Sequence, residues 1–219
     1  MKCMPLSQLT RSAVCILAMS AGAAQAGIVS NGGFESQTGS HLSGFCYTSW
    51  TGCSLAAWSS AGGAVVIGAN SSPWGTPSSL AHAGSDGGLG GIVAGLQGTG
   101  ASVSQTLNVG VNSLIELSWY DAGRSNHSGL QSYSVFFDGI DRGTFSTQAG
   151  QAWGQHRLSF TASGSGLLEF RSLNLGSYDR TSFLNGIQAT ATQVPEPQSL
   201  ALTLAALAAL GLLRRRRSA

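Results

Sequence analysis

The chain has 219 residues, 42% of them hydrophobic and only 9% charged, with 31 glycines and a formal net charge of +2. Between Gly27 and Gln193 there is no lysine, and five arginines face eight acidic residues. This excludes the basic patch that nucleic-acid binding needs, while the apolar fraction argues against disorder. The length suits one ordinary domain plus targeting segments.

The chain opens as a secretory signal peptide over residues 1–26. Lys2 and Arg11 give a positive start, and Ala13 to Ala24 is an apolar stretch too short to span a bilayer comfortably. Ala24-Gln25-Ala26 offers the small-x-small site of a signal peptidase, which predicts cleavage before Gly27. The leader carries Cys3 and Cys15, leaving Cys46 and Cys53 in the exported part. Two cysteines seven positions apart in an oxidising compartment predict one disulfide, stapling a loop with Tyr47 and Trp50. Two cysteines with no nearby histidine do not make a zinc site.

Tyr47, Trp50, Trp58, Trp74 and His82 fall in a loop-rich region. Exposed rings there would stack on the apolar faces of sugars. Alternatively, some rings plug the core and others cover a sheet edge. Ala64 to Ile67 is a short continuous apolar strand, and Gly84 to Gly100 is either a loop or a bent strand pair.

Period-two patterns then predict half-buried strands. Ile115, Leu117 and Trp119 share one face against Glu116 and Ser118; Tyr133, Val135 and Phe137 repeat the pattern, as do Leu158 and Phe160. From Leu167 to Leu173, Leu168 and Phe170 point inward while Glu169 and Arg171 face solvent. Trp119 and Trp153 read as core. Turns are expected at Gly110, Asn112-Ser113, Asp138-Gly139, Asp141-Arg142-Gly143 and Gly164-Ser165-Gly166. Strands at this spacing make an all-β, two-sheet antiparallel sandwich over residues 27–192.

Catalytic signatures are missing. There is no Gly-x-Ser-x-Gly elbow, and His41, His82, His127 and His156 show no metal-ligand spacing. Asp138 and Asp141 sit where aspartate is a good turn residue, so no enzyme is expected.

Residues 193–219 close the chain as a tail. Val194-Pro195-Glu196-Pro197 precedes an apolar run, read as a membrane helix over 199–213, and then Arg214, Arg215, Arg216 and Arg217. The prolines delay the helix until after Pro197. The arginines stay cytoplasmic by the positive-inside rule, leaving the motif just outside the inner membrane. This order of motif, helix and basic cluster resembles the PEP-CTERM sorting signal of Gram-negative bacteria. The resemblance implies recognition by an exosortase, a membrane cysteine protease, with cleavage near the motif. A transient inner-membrane anchor and a final place at the cell surface or outside follow.

The middle of the chain resembles the galactose-binding-like jelly rolls found in PEP-CTERM proteins and carbohydrate-binding modules. The motifs are Asn31-Gly32-Gly33-Phe34-Glu35, Ser104-Gln105-Thr106-Leu107, the strand Leu117 to Gly123, and Phe183-Leu184-Asn185-Gly186-Ile187. The resemblance implies a jelly roll with its first and last strands adjacent. It also implies a structural calcium on Glu35, with Asn185 standing where the family has aspartate. Two roles are expected: a structural protein of an exopolysaccharide or biofilm matrix, or a carbohydrate-binding module tethering to that polysaccharide.

Overall fold

Eleven strands appear among the described residues: β1 (Gln37–Thr38), β2 (Phe45–Tyr47), β3 (Ser54–Leu55), β4 (Ser59–Gly68), β5 (Ile92–Leu107), β6 (Ser113–Gly123), β7 (Gln131–Phe137), β8 (Ile140–Thr147), β9 (Gly154–Ala162), β10 (Gly166–Leu173) and β11 (Thr181–Gln193). The computed structural model describes residues 27–39, 44–68, 74, 91–127, 129–174, 179–194, 203–208 and 214. Residues 1–26, the expected signal peptide with Ala24 and Ala26, and His82, Pro195 to Pro197 and Arg215 to Arg217 lie outside these residues. Residues 203–208 are helical. No helix among the described residues is long and apolar enough to cross a membrane.

The long strand β5 joins two antiparallel layers. β4 pairs with both halves of it, whereas β11 pairs with the first half and β10 with the second. One layer therefore runs β2-β4-β5-β11-β6-β9, and the other runs β5-β10-β7-β8. The switch falls at Gly98 and Gly100, both with positive φ, opposite a bulge in β4 where Gly62 also has positive φ. Glycine adopts that backbone without the penalty other residues carry, so the strand bends here rather than breaks.

The predicted alternations hold. Ile115, Leu117, Trp119, Tyr133, Val135, Phe137, Phe160, Leu168 and Phe170 fill the core between the layers. Burying these side chains, at about 1.5–3 kcal/mol each, is the main drive for the sandwich. A second apolar cluster of Val65, Ile67, Val93, Ala122, Trp153, Phe183 and Trp74 covers the outer face of the first layer. That explains why Ala64 to Ile67 is apolar on both sides. Trp119 lies in the inner core, while Trp153 belongs to this outer cluster.

Three local expectations change. Asn31 to Glu35 is a turn rather than a strand, with Asn31 and Phe34 at positive φ. It still docks on the last strand: Ile187 N donates to Gly32 O (3.0 Å) and Ile28 N donates to Ala189 O (2.9 Å). A Cβ on Gly32 would stand 1.8 Å from Ile187 O, so only glycine fits this contact. Gln105 holds the same segment, accepting from Ser30 N (2.8 Å) and donating to Ser30 O and Ala57 O. Asp141-Arg142-Gly143 is a bulge inside β8, because Asp138-Gly139 alone closes the hairpin in a two-residue turn with both φ positive. Finally, the domain runs past residue 192: β11 pairs to Gln193, and Val194 N donates to Asn112 O (3.0 Å).

Candidate functional site

Strand β2 alternates, and that alternation builds the site. Cys46 points into the core and is bonded to Cys53, with an S–S distance of 2.04 Å. Phe45 and Tyr47, one residue to either side, point outward. The disulfide loop turns back through Trp50 N to Tyr47 O (2.8 Å) and Cys53 N to Trp50 O (3.1 Å). Trp50 is thereby set against Tyr47 at 5.2 Å and Phe45 at 5.9 Å, between ring centroids. Trp74 completes the group, 5.3 Å from Phe45 and 6.1 Å from Tyr47. Trp74 is buried, whereas Trp50 is 52% exposed.

Polar groups border these rings. The Tyr47 hydroxyl donates to Gln97 Oε1 (2.5 Å). The Arg124 guanidinium lies 4.4 Å over the Trp74 ring and donates to Asp179 Oδ1 (2.6 Å) and Asn126 Oδ1 (2.7 Å). The other Asp179 oxygen is 3.3 Å from His127 Nε2, and both of these side chains are 38% exposed. The buried arginine fixes the carboxylate by a charge-assisted bond and covers the ring by cation–π contact. The exposed Trp50 indole and the held carboxylate with its imidazole and amide are thus linked through Tyr47, the buried Trp74 and Arg124, a stacking ring and polar groups on one connected cluster.

Of the four aromatic residues singled out from sequence, three come together here and one does not. Trp58 is buried in the core between the layers, packs on Phe34 at 5.4 Å and donates from Nε1 to Asn31 O (3.0 Å). Its faces are covered, so it is removed from the sugar-stacking set. Phe45, Gln97, Arg124, Asn126, His127 and Asp179 had not been singled out. Phe45 was readable as the period-two neighbour of Tyr47, but nothing in spacing connects positions 47, 97, 124 and 179.

Glu35 and Asn185 both border Gly33. Asn185 Nδ2 donates to Ile92 O (2.8 Å), which turns its Oδ1 toward Gly33. A Cβ built on Gly33 would stand 3.8 Å from Glu35 Oε1 and 3.9 Å from Asn185 Oδ1. Two oxygens thus face the space over Gly33, where the absence of a side chain leaves them room. Among the described residues, no group of three or more His, Cys, Asp or Glu side chains is placed to hold a metal. Calcium takes six to eight oxygens, so this pair fits only a weak site completed by water and main chain.

Inside the sandwich lies a separate polar network. Trp119 Nε1 donates to the Tyr133 hydroxyl (2.6 Å), which donates to Asp121 Oδ2 (2.8 Å). Asp121 Oδ1 is 2.9 Å from His156 Nε2. Burial, and then the Asp121 charge, push the Tyr133 hydroxyl well above the usual tyrosine range.

At the other end of β11, residues 193–217 match the family model described as the PEP-CTERM protein-sorting motif. The tail is a PEP-CTERM sorting signal. Its first residue but one, Val194, is already hydrogen-bonded into the β-domain. No curated protein matches the sequence. Among solved structures, an apo cyclase from Fischerella sp. is similar, with 13% identity, a TM-score of 0.52, and coverage of 78% of this chain and 98% of that one. The cyclase from Fischerella sp. TAU bound to 4-(1H-indol-3-yl)butan-2-one is similar at 12% identity and TM-score 0.51, over 78% of this chain and 100% of that one. The likeness is one of fold. The C-terminal CBM6 of a marine laminarinase from Zobellia galactanivorans overlaps 46% of this chain and 81% of its own, at 20% identity and TM-score 0.36. So partial an overlap does not bear on function.

Proposed function

We propose that this PEP-CTERM protein is an exosortase substrate whose β-domain binds polysaccharide through the Tyr47, Trp50, Asp179 and His127 surface. One observation carries the reading: Trp50 is half exposed although two aromatic neighbours, Phe45 and Tyr47, and a disulfide loop hold it in place. A ring that only filled space would be covered, since exposing indole surface forgoes burial energy. The surrounding carboxylate, imidazole and amide would take sugar hydroxyls. In this reading the domain binds and does not catalyse. Its place is the cell surface or the surrounding matrix, and a weak calcium ion on Glu35 and Asn185 would clasp the first and last segments.

Glycan-array binding by the recombinant 27–194 domain, followed by calorimetric titration of any hit, tests this. Saturable binding that Trp50→Ala removes is the expected result. Absence of binding to every acidic and neutral polysaccharide presented would favour the purely structural matrix role.

A further inference from the structure

The sorting motif follows the last strand with no spacer. Gln193 pairs with Ser113, and Val194 N donates to Asn112 O (3.0 Å). The apolar run begins at Leu200, so only five residues separate it from Val194. Fully extended, that stretch reaches about 20 Å. The headgroup layer of a bilayer is itself about 5–7 Å thick on each side. While the tail is inserted, the end of the sandwich that carries Val194 is therefore confined to the membrane surface.

That end has a definite composition. It is where β5, β7, β9 and β11 finish and β6, β8 and β10 begin. Val109 N donates to Ser165 Oγ (3.0 Å), and Asp138 N donates to Leu167 O (2.9 Å), tying the three connecting turns together. Val111 and Ile140 are each 56% exposed, Val194 is 46% and Leu167 is 42%. Exposed aliphatic side chains gathered on one pole mark a site of contact with a partner or a lipid phase. The tether length says which, because no other surface is held so close.

We propose that the pole bearing Val111, Ile140, Leu167 and Val194 is a bilayer-contacting face, on which the precursor rests with β11 directed away from the lipid. The Trp50 surface lies toward the start of β11, where Gln97 pairs with Thr181 and Arg124 follows β6. A 13-residue strand is about 40 Å long, so the rings are displayed outward before the tail is cut. The proposal rests on the reading of the tail as a membrane anchor, and the test separates the two.

The full chain is reconstituted into phosphatidylcholine vesicles with a photo-crosslinking phenylalanine derivative at position 111, 140 or 149. Ala149 is exposed beside Gly150, whose N donates to Arg124 O at the far pole. Lipid adducts are expected at 111 and 140 and only background at 149. A flexible spacer of roughly twenty residues between Pro197 and Gln198 should lower the adducts about tenfold, as effective concentration falls with tether length. Alkaline carbonate extraction of the same vesicles reads insertion. A chain that washes off overturns the anchor reading and the proposal with it. A chain that resists extraction but labels equally at 111 and 149, or labels undiminished with the spacer, overturns the proposal alone.

Discussion

The Tyr133 hydroxyl donates a 2.8 Å hydrogen bond to Asp121 across the interior, joining β7 in one layer to β6 in the other. Both side chains are fully buried. The carboxylate would carry a large desolvation cost without this donor and His156 beside it. Because burial and the Asp121 charge raise the Tyr133 pKa in the folded state, the folded protein holds that proton more tightly than the unfolded chain. The associated stability is complete below the ordinary tyrosine value of about 10 and is lost as pH rises beyond it. Denaturant melts between pH 8 and pH 11, a range set about that value, should show falling stability at the alkaline end. Tyr133→Phe should flatten that fall while lowering stability at neutral pH by about 1–3 kcal/mol, the cost of leaving a buried acceptor unpaired. An unchanged alkaline slope in the variant would show that Tyr133 is not its source.

Trp50 and Trp58 should separate binding from stability. Trp50→Ala is expected to abolish glycan binding and leave the melting temperature nearly unchanged, since Trp50 is 52% exposed. Trp58→Ala empties a site in the inner core and should cost about 3–5 kcal/mol. Thermal melts of both variants, run beside the titration, check this. A large loss of stability in Trp50→Ala would make its ring structural.

Calcium should act through Glu35 and Asn185, the pair that faces Gly33. Binding to the folded state alone adds about 2.7 kcal/mol at a hundredfold excess over Kd. Calcium is expected to raise the melting temperature of the 27–194 domain modestly. Glu35→Gln should remove most of the rise, and Asn185→Asp should enlarge it by adding a charge. If chelator and calcium give the same melting curve, the two side chains serve only to dock the opening turn on β11.

Processing should leave a chain that begins at Gly27 and ends between Pro195 and Pro197. The tail matched by the sorting model supports the C-terminal cut, and Ala24-Gln25-Ala26 supports the N-terminal one. Intact-mass measurement on protein from the native host decides both ends. A mature mass that still includes Arg214 to Arg217 would rule out removal of the tail.

Alternating residues within single segments determined which faces would be buried. Trp119 and Phe170 were assigned to the core because side chains on a strand alternate by geometry alone, whatever the strand pairs with. Asp138-Gly139 was legible as a turn for an equally local reason: the type I′ hairpin turn needs positive φ at both positions, which Asp followed by Gly accommodates. The sorting tail was also readable, because a membrane address is linear by nature. Tertiary structure alone decided the site. Tyr47, Gln97, Arg124 and Asp179 join one cluster because β4 and β11 pair on either side of Gln97 in β5, a long-range pairing that no local pattern contains. It also decided that Trp58 is core while Trp50 is surface, since two tryptophans eight positions apart differ in nothing but what the fold sets over them. And it placed Asp121 in the interior, where alternation reads only a side chain pointing inward and the Tyr133 hydroxyl from another strand makes that position tolerable for a carboxylate.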